Sequence, residues 1–181
     1  MALLKGKAAR DVNKTTRVFR FTPLHCAVRR GYEDIALALV RASAEVDIAD
    51  YHGWSPLMRA SADGRAELVN NLLLSRASAN FQNKQGNRPL QYAVQHGHLN
   101  VIKVLLKAGA SLAYRRKPDG MSVVEIAAKR GDTSALKELL AAGPNSGALD
   151  DDNMQAALNI AAREGHAGAI DVLIDAGADP D

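Results

Sequence analysis

Cysteine occurs once in the 181 residues, at Cys26, so no intrachain disulfide can form and no cysteine cluster can hold zinc. A reducing interior is the default for such a chain. Aromatic residues are scarce at 4%, so a core must be built mainly from Ala and Leu, which favours helices. No segment approaches the roughly 18 apolar residues of a membrane span. The opening "MALLKGKAARD" has an apolar run of only three residues, too short for a secretory signal. These absences point to an intracellular, cytoplasmic chain without a membrane partner. The remaining composition, 47% apolar and 24% charged with a formal net charge of +3, is that of an ordinary globular protein.

What is present is a period. Gly31, Gly64, Gly97, Gly131 and Gly165 are separated by 33, 33, 34 and 34 residues. Four residues before each stands an Ala: Ala27, Ala60, Ala93, Ala127 and Ala161. Leu39-Val40, Leu72-Leu73, Leu105-Leu106, Leu139-Leu140 and Leu173-Ile174 recur in register after the glycines. Nine residues before the glycines come Thr22, Ser55, Arg88, Ser122 and Ala156. Thr22 and Ser55 are suited to cap a helix, with Pro23, Pro56 or Pro89 just inside, where a missing N–H costs nothing. The Ala lets a neighbouring helix come close, and the Gly accepts the left-handed conformation that ends a helix. A second helix carries the Leu pair, and Gly109, Gly143 and Gly177 close it. "DYHGWS" and "NKQGNR" supply turn residues for hairpin-like links. Repeats of this period stack into a solenoid.

"TPLHCAVRRG", "SPLMRASADG", "RPLQYAVQHG" and "HLNVIKVLLKAGAS" make the chain resemble the ankyrin repeat family. The fourth and fifth copies, "SVVEIAAKRG" and "AALNIAAREG", lack the Pro but keep the Ala pair and the Gly. The resemblance implies an all-α solenoid of helix-turn-helix units joined by β-hairpin-like loops. The units run over 17–49, 50–82, 83–116, 117–150 and 151–181, after a degenerate half repeat at 1–16. The 34-residue gaps place extra residues near "YRRKPDG" and "GPNSGALDDDN", so those two links should deviate from the standard turn.

Catalysis and metal binding find little support. His25 and Cys26 are neighbours on a helix and point about 100° apart, so they do not face each other as a nucleophile pair. No other copy repeats them, and the resemblance makes the His a hydrogen-bonding turn residue. His96 and His98 flank Gly97, but no further ligand pattern accompanies them. "LDDDNMQ" departs from a calcium loop because Met154 takes a ligand place and no Gly follows; it reads as an acidic inter-repeat loop. Asn13-Lys14-Thr15 is a glycosylation sequon without consequence inside a cell. "LKGKAAR" lacks the strand and Gly-rich context of a phosphate loop. No enzyme and no cofactor is expected.

In ankyrin repeats the partner-contacting residues sit on the hairpin tips and the concave face of the inner helices. Transferred to this chain, these positions hold Val18, Phe19, Phe21, Arg29 and Arg30, then Tyr51, His52, Trp54, Ala62 and Asp63. The third repeat offers Lys84, Gln85, Asn87, Gln95 and His96, and the fourth Pro118, Asp119, Met121, Lys129 and Arg130. The fifth offers Asp152, Asn153, Gln155, Arg163 and Glu164. The sole Trp and two of three Phe fall on the first two tips beside Tyr51. They serve either as interface anchors or as a seal, in which Phe19, Phe21 and Trp54 pack on each other. Arg29, Arg30, Lys129, Arg130 and Arg163 share one register, with Arg59 nearby and Asp63 interrupting. They suit an acidic partner, or are simply solvated.

The ends differ in charge. Residues 1–30 hold eight basic residues against Asp11, and residues 145–181 hold eight acidic residues against Arg163. Such a rod can associate weakly head to tail. Nucleic acid is not an expected partner, because the basic segment has few stacking aromatics. Asn80 stands where ankyrin repeats can carry a hydroxylated Asn. The last copy keeps Ile170, Val172, Leu173 and Ile174 with no capping repeat after it, so the chain is either a fragment or ends in a lightly modified cap. The expected function is non-enzymatic: a scaffold binding another protein. The alternatives are a regulatory domain of a larger enzyme or channel, or a pathogen effector's host-binding domain.

Overall fold

The computed structural model describes residues 12–113, 115, 120–143 and 150–179. Ten helices occur among them and no strand: α1 Pro23–Arg30, α2 Glu33–Arg41, α3 Pro56–Ala62, α4 Ala66–Leu74 and α5 Pro89–His96, then α6 Leu99–Lys107, α7 Val123–Arg130, α8 Thr133–Ala142, α9 Asp151–Glu164 and α10 Ala167–Asp175. Odd-numbered helices form an inner row and even-numbered ones an outer row. Each helix packs on its partner within the repeat and on its counterpart in the next. The result is the expected all-α solenoid of five stacked layers. Most of the half repeat at 1–16 and most of the two irregular links lie outside the described residues.

The inner helices start where their caps allow. Thr22 Oγ1 accepts from the His25 N–H at 3.2 Å, Ser55 Oγ from Met58 N–H at 3.3 Å and Ser122 Oγ from Glu125 N–H at 3.2 Å. Each bond satisfies one donor orphaned by the helix start. Arg88 cannot cap in this way, and there the Gln91 side-chain oxygen accepts from the Arg88 N–H at 2.7 Å instead.

The fifth repeat differs from its sequence-based expectation. Its inner helix α9 begins at Asp151, well before the register position Ala156, and spans 14 residues. Asp150 caps it by accepting from the Asn153 N–H at 2.8 Å. Asp151 and Asp152 then lie in the first turn, where carboxylates favour the positive end of the helix dipole. From Asp150 onward the "LDDDNMQ" stretch is therefore a helix start rather than an acidic loop, and Asp152, Asn153 and Gln155 are helical, not on a hairpin tip.

The register alanines Ala27, Ala60, Ala93, Ala127 and Ala161 are all buried. Leu72, Leu105, Leu139 and Leu173 are fully buried, whereas the equivalent Leu39 is half-buried. Leu39 belongs to the first repeat. With Phe21, Pro23, Cys26, Tyr32 and Ile35 it lines a hollow of about 580 Å³ on that repeat's outward side.

The outer helices are closed by residues in the left-handed region, but not always by Gly. Gly109 (φ 78°) and Gly177 (φ 100°) take it in the third and fifth repeats, and Ser43 (φ 65°) and Arg76 (φ 69°) take it in the first two. Gly143 closes its helix as expected, but with a right-handed φ of −88°. At Arg76 the reason for the conformation is explicit. Its own N–H donates to the Leu73 carbonyl at 2.9 Å and the Ala77 N–H to that of Leu72 at 3.0 Å, the paired bonds that finish a helix. Arg76 is exposed, so its side chain contributes little against the strain of a left-handed L-residue. Arg76→Gly should therefore raise stability by about 0.5–1 kcal/mol, the strain relieved less the added entropy of Gly. The check is a higher urea midpoint at unchanged m-value.

Candidate partner-binding surface

The hairpin tips are built alike. In the second link Asp50 N–H donates to the Trp54 carbonyl at 2.9 Å, and the Asp50 carboxylate accepts from His52 N–H at 2.8 Å and Trp54 N–H at 2.9 Å. Asn83 repeats this in the third link, its amide oxygen accepting from Gln85 N–H at 3.0 Å and Asn87 N–H at 2.9 Å. The first tip uses Thr16, whose N–H donates to the Phe21 carbonyl at 2.9 Å and whose hydroxyl accepts from Phe21 N–H at 3.0 Å. Arg20 stands where later tips have Gly, and it holds the same left-handed conformation (φ 55°). Tyr51 N–H donates to the Phe19 carbonyl at 2.9 Å, tying the first two tips together.

The aromatic residues divide into two groups. Phe19 and Phe21 stack with centroids 5.5 Å apart, and Phe21 is half-buried. Trp54 packs on Tyr92 with the rings tilted by 36° and centroids 4.2 Å apart, and the Arg59 guanidinium lies 4.7 Å from the indole centroid. The seal of Phe19, Phe21 and Trp54 on each other is thus realised only by the Phe pair. Tyr92 was not singled out from sequence. It is 8% exposed and its hydroxyl accepts from Asn83 Nδ2 at 2.9 Å and Asn87 Nδ2 at 3.2 Å, locking the third tip to α5. The signal was present: Tyr92 is the one aromatic at a register position that otherwise holds Cys26, Arg59, Ile126 and Ile160. Phe19 and Tyr51 remain open to solvent at 52% and 56% exposure. His52 meets Tyr51 edge-on at 5.3 Å, and Lys84 Nζ sits 4.5 Å from the Tyr51 centroid.

At the inner-helix positions Arg29, Arg30, Asp63, Gln95, His96, Lys129, Arg130, Arg163 and Glu164 are exposed and Ala62 is half-buried, while Lys84 and Gln85 are exposed on the third tip. Arg130 donates to the Gln95 carbonyl at 2.8 Å, Arg59 lies 3.9 Å from Asp63, and Arg163 lies 3.7 Å from Glu164. Two candidates are partly or wholly taken up by the fold. Met121 is half-buried against the core. Asn153 is buried, and its oxygen accepts from Arg115 Nη2. Pro118 and Asp119 lie outside the described residues. Arg115, not foreseen from sequence, also donates to the Gly120 carbonyl and to Glu125, each at 2.9 Å, joining the fourth link to the fourth and fifth repeats.

His25 and His98 tie neighbouring repeats together. His25 Nδ1 accepts from the Thr22 N–H at 3.2 Å, which leaves Nε2 to donate to the Trp54 carbonyl at 3.1 Å in the next repeat. Cys26 is exposed while His25 is buried, so the two do not work as a pair. The His96 and His98 rings stack at 5.9 Å, and each has a ring nitrogen 2.9 Å from a carbonyl, of Tyr92 and Ala62 respectively. Asn80 bridges repeats, donating to the Gly109 carbonyl at 3.0 Å and accepting from Ser111 N–H at 2.8 Å.

A solenoid of helix pairs presenting tips and an inner face defines a repeat scaffold, and sequence comparison identifies which one. The family model for ankyrin repeats matches three times, over residues 1–83, 44–116 and 112–181. The chain belongs to the ankyrin repeat family, whose members generally mediate protein–protein interaction. Among curated proteins it is 32% identical over 111 residues to a mouse B-cell lymphoma 3 protein homolog, covering 60% of this chain and 25% of that protein. It is 34% identical over 98 residues to the probable 26S proteasome regulatory subunit p28 of Saccharomyces cerevisiae, covering 54% and 42%. It is 30% identical over 128 residues to tyrosine-protein kinase HTK16 of Hydra vulgaris, covering 69% and 17%. The chain thus spans less than half the length of each. Among the described residues no helix is long and apolar enough to cross a membrane.

Burial lowers the His25 pKa below its ordinary value of 6.5, outweighing the Trp54 hydrogen bond and the nearby Asp50 charge, which raise it. The unfolded chain therefore takes up this proton more readily than the folded one. Stability from this group is fully present above the ordinary value and is lost as pH falls through the lowered one. The urea midpoint should drop as pH falls below the ordinary value of 6.5, and His25→Gln, which copies Gln91 of the third repeat, should flatten that drop.

Proposed function

We propose that the chain is a non-enzymatic scaffold, acting in the cytoplasm, that binds a partner protein through its first hairpin tips and the concave inner-helix face. One observation carries the reading: Phe19 and Tyr51, both exposed, sit on adjacent tips joined by the Tyr51–Phe19 backbone bond. Large rigid side chains held ready at neighbouring positions lose little entropy on binding, and Tyr is enriched at interface hot spots. Arg29, Arg30, Lys129 and Arg130 border the same concave face and favour an acidic partner surface through steering and pairing. The p28 and B-cell lymphoma 3 resemblances are consistent with a binding module, without naming a ligand for this chain. A second reading, a regulatory ankyrin module within a larger enzyme or channel, draws on the Hydra kinase, of which the chain spans only 17%.

The test uses a photo-crosslinking amino acid at position 52, between the two tip contacts, in cell extract. Unlabelled wild type should compete for the crosslinked partner. The double variant Phe19→Ala/Tyr51→Ala should compete at least tenfold less well, because each hot spot contributes about 2 kcal/mol. Both side chains are exposed, so the variant should melt within a few degrees of wild type. Equal competition by a folded double variant removes the tip reading.

A further inference from the structure

The arginines of this surface do not all have the same freedom. Arg65 donates to Glu33 at 3.3 Å, Arg130 to the Gln95 carbonyl at 2.8 Å, and Arg115 to two acceptors at 2.9 Å. Arg29 and Arg59 instead lie over rings, with Cζ 5.2 Å from the Phe21 centroid and 4.7 Å from that of Trp54. Among the described residues no acceptor meets Arg29, and Arg59 has only Asp63 at 3.9 Å, beyond hydrogen-bond distance. A guanidinium over an aromatic face is oriented by it, while its in-plane N–H donors stay available for a bidentate acceptor.

The two groups converge. Arg29 on α1 and Arg59 on α3 line one crevice between the first and second repeats, with Phe21, Trp54, His25 and Asp50. The crevice encloses about 10 Å³, room for no more than a water, so a ligand group must lie across its mouth. We propose that Arg29 and Arg59 together hold one carboxylate of an extended acidic segment of the partner protein, an inference that rests on the partner-binding reading above. The charge balance selects a carboxylate over a phosphoryl group. Asp50 and Asp63 stand beside the two arginines and offset much of their charge, which compensates a monoanion better than a dianion. Asp50 forms no ion pair with either arginine among the described residues, and its Oδ1 is held by the His52 and Trp54 N–H groups. Arg41, at the exposed end of α2, lies over no ring and does not line the crevice, which makes it the internal control.

The experiment selects random displayed peptides on the full chain and titrates the synthesised consensus peptide by the fluorescence of Trp54, the sole Trp, which touches Arg59. Enriched peptides should carry Asp or Glu. Arg29→Gln and Arg59→Gln should each weaken binding about tenfold, the loss of one charged hydrogen bond. Arg41→Gln should change it less than about twofold, as for a solvated charge. Arg29→Lys and Arg59→Lys keep the charge but not the fork and should remain weakened several-fold; full rescue by Lys overturns the bidentate assignment. A Glu→Gln peptide should bind weakly and lose its sensitivity to both arginines. Absence of enrichment, enriched peptides without acidic residues, or affinity unchanged in folded Gln variants overturns the proposal. Tighter binding of a phosphoserine peptide than of its Glu counterpart overturns the carboxylate assignment. Peptides that depend on Tyr51 but not on the arginines overturn this inference alone. Acidic peptides held by the arginines, with crosslink competition unaffected by the tip variant, overturn the tip reading alone.

Discussion

Close approach of small residues along the inner row, Ala27, Ala60, Ala93, Ala127 and Ala161, sets the spacing of every layer. A larger side chain there would push neighbouring inner helices apart, and with them the tips they carry. No single helix pair of seven to fourteen residues can bury its own apolar face, so each repeat is stable only against its neighbours. The contact between tips follows from that spacing: Tyr51 N–H reaches the Phe19 carbonyl because α1 and α3 sit close enough to bring their links within hydrogen-bond distance. The surface for a partner is thus fixed by residues that never touch it.

The repeat itself was legible because its signals are local and periodic. Thr22, Ser55 and Ser122 cap where hydroxyls before a helix should cap, and Gly31, Gly97, Gly131 and Gly165 adopt the left-handed turn that Gly permits. The misreadings arose where register was extended past its physical basis. Ala156 has the right spacing but no capping oxygen, while Asp150 has one, and α9 starts at the better cap. Gly143 closes its helix where the spacing places it, yet in a right-handed conformation, because Gly tolerates a left-handed backbone but does not compel it.

The site was less legible because it depends on contacts between repeats, which spacing alone does not reveal. Trp54 was recognised as unusual, but its neighbour Tyr92 lies 38 positions on, in the following layer, and only packing brings the rings to 4.2 Å. The same holds for Arg115 and Asn153, also 38 positions apart. Family positions name residues that can face a partner. They do not say which of these the solenoid uses for itself, and here Met121, Asn153 and much of Trp54 serve the scaffold.

A single register position shows how scaffold and surface come to differ in constraint. His25 uses it to reach the Trp54 carbonyl of the next repeat, Met58 fills it with fully buried apolar volume, and Gln91 turns back to the Arg88 N–H. Glu125 uses it to receive Arg115 from a neighbouring link. Each solution satisfies its own layer, because stability in a solenoid is settled between nearest neighbours rather than across one common core. The third position beyond the cap can therefore change chemistry from layer to layer without changing the fold. The fourth position does the same, and there the change reaches the surface: Arg59, in the slot that holds Cys26 in the first repeat, is placed over Trp54. A binding feature can arise in this architecture by one substitution in one layer, provided an aromatic tip is already in place to orient it.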